Sequence, residues 1–139
     1  MVETRPSPAI EVTFWSSDDR YGVNIHDDGR VGYAYFADAD GICGDVWLYN
    51  RGPAPKEPEW TDPEKAPFAN PEAFVVPLAA LPLPTSADDF YVEWRMAEDA
   101  VEAWIFVHGR PLAKLMAGAK PGWSVLVSRD GPLAKVLKL

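Results

Sequence analysis

A chain of 139 residues that is 47% apolar and 12% aromatic can build one packed interior, which excludes a globally disordered polymer. Thirteen basic residues face 21 acidic ones, a formal net charge of -8, and such a field repels nucleic acid and anionic membranes while attracting a basic partner. No apolar run approaches the roughly 18–20 residues of a membrane span, the start Met1-Val2-Glu3-Thr4-Arg5-Pro6 lacks a secretory pattern, and Cys43 is the only cysteine, so a cytoplasmic protein without an internal disulfide is expected.

Residues 1–8 read as a short tail broken by Pro6 and Pro8. Ile10, Val12 and Phe14 then alternate with Glu11 and Thr13, the period of a half-buried strand. Tyr21, Val23 and Ile25 alternate with Gly22, Asn24 and His26, Asp28-Gly29 supplies a tight turn, and Val31, Tyr33 and Tyr35 resume the alternation. This is the clearest hairpin. Gly22, Gly32 and Ala34 leave bare positions on what reads as its polar side, which marks either close approach by another group or simple strand twist. Residues 37–44 read as a loop, and Val46-Trp47-Leu48-Tyr49, apolar on both faces, reads as a central strand.

Residues 51–84 hold nine of the 14 prolines, which excludes long helices and central strands there. The stretch also holds Trp60, Phe68, Phe74 and Leu78, more apolar anchors than a disordered linker carries. An ordered loop wrapped on the domain is expected, with a short strand at Phe74–Pro77; a mobile flap is the other reading.

Phe90, Val92, Trp94 and Met96 alternate with Tyr91, Glu93 and Arg95, and a second strand follows over residues 101–108. One helix over 86–106 is the alternative, opposed by the β-branched and aromatic content. Pro111-Leu112-Ala113-Lys114-Leu115 recurs as Pro132-Leu133-Ala134-Lys135-Val136. The first copy suits either a short helix or a strand, and the second suits an edge strand. The sum is a mainly β fold, or a β-rich α+β one. It is a single compact domain over 1–139, with eight to ten strands in an antiparallel curved sheet, partial barrel or sandwich, and a long Pro-rich loop.

Catalytic signatures are missing from this pattern. Asp38-Ala39-Asp40-Gly41 starts like a calcium loop but lacks the later ligands, so a turn rich in carboxylates is the plainer reading. His26 and His108 both fall at turns, and two histidines with one cysteine assemble no zinc site of ordinary spacing. A Cys43 nucleophile served by either histidine has no sequence support, and no cofactor is expected.

Five of the six tryptophans lie in apolar strands and are expected in the core. Trp60 is the exception, set among Glu57, Glu59, Asp62 and Glu64 and flanked by prolines. An aromatic anchor among carboxylates suits recognition of a basic surface; pinning the loop to the core is the alternative. Asp18, Asp19, Asp38 and Asp40 extend the candidate contact set.

Charge is uneven. Residues 1–103 carry seven basic and 20 acidic residues, and residues 104–139 carry six basic and one acidic. Either the two parts attract each other within one fold, or they make a dedicated acidic face. Small size, acidity and the aromatic-acidic loop fit a non-catalytic protein-binding module with a basic partner. Bacterial immunity proteins, which mask the active sites of cationic toxins, are similar in this general profile, without any family motif. A small-ligand binder or enzyme, with Asn24, His26, Asp45, Glu93, Arg95 and His108 converging in a β-barrel-like pocket, is the second reading. Self-association between the acidic and basic regions is the third.

Overall fold

The computed structural model describes residues 10–76, 82–97 and 99–139. The expected tail over 1–8 and the Pro77 end of the expected short strand lie outside the described residues. β1 (Ile10–Trp15), β2 (Gly22–Asp27), β3 (Val31–Asp38) and β4 (Gly41–Asn50) form an antiparallel meander. β5 (Phe90–Ala97), β6 (Ala100–Val107), β7 (Arg110–Met116), β8 (Trp123–Ser124) and β9 (Lys135–Val136) form a second sheet, antiparallel except for the parallel pair β8–β9. Among the described residues, helix is confined to three single 3-10 turns at Pro63–Lys65, Glu72–Phe74 and Ala87–Asp89. No helix among the described residues is long and apolar enough to cross a membrane.

Period-two alternation sends one side of each sheet inward. From the first sheet come Ile10, Val23, Ile25, Ala34, Phe36 and Val46; from the second come Phe90, Ala103, Ile105, Val107, Ala113 and Leu115. They form one cluster, with Phe36 of β3 against Trp94 of β5 at 6.1 Å between ring centroids. The protein is therefore mainly β, a single domain of two packed sheets, and among the described residues the sheets do not close on each other. Each fully buried aliphatic side chain in such a core contributes about 1.5–3 kcal/mol.

Several expectations shift. Residues 37–44 are not a loop: β3 and β4 run almost to their turn at Ala39-Asp40, paired down to Asp38 and Gly41. Residues 111–116 are strand, not helix, with Leu112 absorbed at an irregularity where β7 crosses β6. The second copy of that motif gives the short edge strand β9. The expected strand at Phe74 shrinks to a single bridge between Val75 and Val127.

The phase of β3 is also reversed. Val23 pairs with Phe36 and Ile25 with Ala34, so Gly32, Ala34 and Phe36 face inward, and Tyr33 and Tyr35 face outward. The bare positions are filled by rings from the same sheet. A Cβ on Gly32 would stand 2.5 Å from Cζ of Tyr49, and one on Gly22 would stand 3.0 Å from the Trp15 ring.

The Tyr49 ring crosses Gly32 because its hydroxyl donates to Asp27 Oδ2 at 2.6 Å. Arg51 donates to the same oxygen from Nε at 2.7 Å, and its other arm reaches the Pro84 carbonyl. The Gly29 amide donates to Asp27 Oδ1. Asp27 is fully buried, so this charge is tolerated only because it is paired and fully hydrogen-bonded. Burial and the adjacent carboxylate push the Tyr49 phenol well above its ordinary range.

Asp27→Ala should cost about 3–5 kcal/mol, because it removes the acceptor shared by the Tyr49 hydroxyl, the Arg51 guanidinium and the Gly29 amide and leaves the buried hydroxyl unpaired. Gly32→Ala should cost about 1–3 kcal/mol by driving the Tyr49 ring off Asp27. Urea unfolding followed by tryptophan fluorescence measures both.

Candidate functional site

Antiparallel order puts the β1–β2 and β3–β4 turns at one end of the first sheet and the β2–β3 turn at the other. Asp18 and Asp19 lie in the first of these turns, and Asp38 and Asp40 border the second. The fold thus brings four residues from distant parts of the predicted contact set to one end of the sheet. A cleft there is lined by Trp15, Asp19, Arg20, Tyr21, Asp38 and Asp40.

Each turn is shaped by its own carboxylates. Asp18 accepts from the Ser16 hydroxyl at 2.7 Å and from the Arg20 amide, which hold its carboxyl below the usual range. Asp19 sits at φ 60, in the left-handed region. Asp38 accepts from the Asp40 amide at 2.8 Å, so the calcium-like tetrad is a self-bonded turn. Asp40 and Asp19 are exposed, and Asp38 is half-buried.

Two apolar residues frame this end. Trp15 and Ile42 are each 61% exposed. The register Trp15–Gly22, Gly22–Ala37 and Ala37–Ile42 sets them on one outward row across all four strands. Between them the Trp15 ring lies over Gly22, and Ala37 separates it from Ile42. Sequence reasoning placed Trp15 in the core, and the structure corrects this. The signal was present: Trp15 continues the Glu11–Thr13 parity, not that of Ile10, Val12 and Phe14. On the neighbouring rows Glu11 pairs with His26, and burial pushes the Asp45 carboxyl up, opposed by Lys120.

The rest of the predicted set lies elsewhere. The Pro-rich loop covers the opposite end of the same sheet, where Arg30 donates to the Pro67 carbonyl and Tyr33 donates to Phe68 O. Asn50 and Asn70 bond reciprocally, and Val76 and Phe74 bond Leu126 and Ser128 in the segment between β8 and β9. Trp60 is half-buried, edge-on to Phe74 at 5.4 Å, and packed on the core. Its indole N–H is buried with no partner among the described residues. Glu59 accepts from the Asp62 amide, and Asp62 caps the turn at Pro63, so two of these carboxylates hold the loop's own backbone. Glu57 and Glu64 are exposed.

The outward face of the second sheet has a different chemistry. Arg95 lies over the Trp104 ring at 4.2 Å, Lys114 over Trp123 at 4.5 Å, and Lys135 over Trp123 at 4.8 Å. The side chains interleave from β5 to β9 as cation, ring, cation, ring, cation. Trp104 and Trp123 are therefore not core residues, as the sequence reading had them. Each cation over a ring contributes about 0.5–1 kcal/mol at such partly exposed positions. Glu93 pairs with Arg95, and Glu102 with Lys114.

Among the described residues, Cys43 is not brought together with either histidine. Cys43 Sγ lies 3.7 Å from Asp38 Oδ2, and burial together with that carboxylate raises the thiol pKa. His26 is bound to Glu11 at the far end of the sheet, and His108 lies beside Asp89 at the β6–β7 turn. No three His, Cys, Asp or Glu side chains among the described residues group as metal ligands.

Alkylation of Cys43 at neutral pH should be slower than that of free cysteine. Asp38→Asn should lower the thiol pKa and speed the reaction, because removing a neighbouring negative charge favours the thiolate. The pH profile of the iodoacetamide rate measures both effects. Comparison with known proteins finds no matching family model, no matching curated protein and no matching solved structure.

Proposed function

We propose that the chain is a non-catalytic, acidic protein-binding domain that engages a basic surface through the turn end of the first sheet. The observation that carries this reading is Trp15, 61% exposed in a cleft rimmed by Asp19, Asp38 and Asp40. Large aromatic side chains are rarely left in water without use, and a tryptophan with surrounding carboxylates combines a desolvating anchor with complementary charge. Ile42 extends the apolar contact along the same row.

The charge distribution supports the same reading. Residues 10–50 carry eight acidic and two basic residues. Such a field speeds encounter with a cationic partner and makes the encounter sensitive to salt. A bacterial immunity protein acts in this way, its carboxylates covering the cationic, substrate-binding surface of a toxin. In this reading the domain works in the cytoplasm, and its partner is a basic nuclease or a similar toxin.

One observation favours a small-ligand reading as the second. An open cleft of about 760 Å³ lies under the Pro-rich loop, lined by Trp47, Tyr49, Arg51, Lys56, Glu72 and Leu126 among others. Its volume suits a small organic molecule. It is not the pocket expected from sequence, because Asn24, His26 and Asp45 belong to the outer face of the first sheet, and Glu93 and Arg95 to that of the second.

Co-expression with the product of the neighbouring gene, followed by co-purification, tests the first reading. A complex should form. Trp15→Ala should weaken it by about 2 kcal/mol or more, as expected of a central anchor. Asp38→Asn with Asp40→Asn should lower the association rate mainly at low salt. A complex indifferent to all three substitutions would remove the turn end as the contact site.

A further inference from the structure

The second sheet ends on β5, and this edge is unusually undefended. Edge strands of stable monomers are shortened, bulged, or broken by proline or lysine, because their unpaired amides and carbonyls recruit other strands. β5 runs for eight residues with neither proline nor lysine, and its register to β6 is unbroken from Phe90 to Ala97. The Phe90 amide donates to the Ala87 carbonyl in the preceding turn; beyond it, among the described residues, no backbone hydrogen bond joins residues 91–97 to any segment but β6. Met96 is 82% exposed and Tyr91 46% exposed, so apolar side chains accompany the open backbone.

The hydrogen-bond phase is readable. The His108 amide donates to the Asp89 carbonyl one step beyond the Phe90–Val107 pair. Antiparallel bonding alternates residue by residue, so residues 91, 93 and 95 turn their backbone groups toward β6. Val92, Trp94 and Met96 turn theirs to the open edge.

We propose that β5 is a self-complementary docking edge, and that its occupant is β5 of a second copy, antiparallel across a two-fold axis through Trp94. Charge selects this register. With the axis at Trp94, each Glu93 stands opposite the second copy's Arg95, and the two pairs are related by symmetry. An axis at residue 93 sets glutamate against glutamate, and one at residue 95 sets arginine against arginine, both repulsive at cross-strand distance. The Trp94 register also makes Trp94 a hydrogen-bonded pair with its copy, as the backbone phase requires. It lays Val92 beside the exposed Met96 on the inward side. The contact is isologous and closes at two copies, so it joins two five-stranded sheets without starting a fibre. None of the substitutions that test it touches Trp15, Asp38 or Asp40, so its failure and the failure of the proposed partner site are distinguishable.

The test is the mass of the full-length chain by light scattering and sedimentation velocity over a concentration series. The expected result is a species of twice 15.4 kDa at the higher concentrations. Arg95→Glu alone and Glu93→Arg alone should each be monomeric. Mixing these two variants should restore the dimer, and so should the double exchange Glu93→Arg with Arg95→Glu. Amide hydrogen exchange at Val92, Trp94 and Met96 should slow as wild-type concentration rises, a readout that needs no variant. A wild-type monomer at every concentration, or a dimer that survives both single exchanges, overturns the proposal. So does a dimer whose Val92, Trp94 and Met96 amides exchange as fast as in the monomer.

Discussion

The second edge of β4 organises the molecule. By strand order β4 ends the first sheet, yet its outer edge is not open. The Cys43 carbonyl accepts from the Gly118 amide, Asp45 bonds Ala119 and Gly122, and the Trp47 amide donates to the Leu133 carbonyl. The chains meet closely: a Cβ on Gly44 would stand 2.9 Å from the Met116 carbonyl, and one on Gly122 would stand 3.4 Å from the Val46 Cβ. The two sheets are thus laced along one side by main-chain bonds and held face to face by their shared core. A buried strand edge needs such partners, because an unmet amide or carbonyl costs about 1–3 kcal/mol.

This lacing separates two outward faces of different character. The first sheet shows carboxylates, Trp15 and Ile42; the second shows a ladder of rings and cations. Charge imbalance along the chain becomes imbalance across the thickness of the domain. The cations of the second sheet are largely taken up by tryptophan rings and by Glu93 and Glu102. Both readings of the uneven charge therefore contribute. The basic part neutralises some acids of its own sheet, and most acids of the first sheet lack such cover.

The strands were legible because each signal was local. Alternation marked β1, β2, β5 and β6, and Asp28-Gly29 marked a turn where Gly29 takes φ +88. The turn-end carboxylates were also named in advance, although nothing in sequence said that residues 18–19 and 38–40 adjoin. Trp60 drew attention through its proline and acidic neighbours, yet Phe74 and the core hold its ring. Trp15, inside an apolar strand, points to water, and its parity with Glu11 and Thr13 carried that information. The phase of β3 was misread because alternation fixes two faces without saying which is inside. Tyr33 is buried on the outer side only because the Pro-rich loop covers it there.

By itself the sequence determined the β class, most strand positions, the acidic excess and the ordering of a proline-rich segment. Each follows from side-chain period, backbone restriction or simple charge counting, all of which act within a few residues. Only the tertiary structure decided which face of each sheet is buried, which turns meet, and which tryptophans see solvent. Those outcomes depend on contacts between residues far apart in the chain, such as Phe36 with Trp94, Asp27 with Arg51 and Cys43 with Gly118. Local pattern can propose such pairings in either phase, and only packing into one core selects among them.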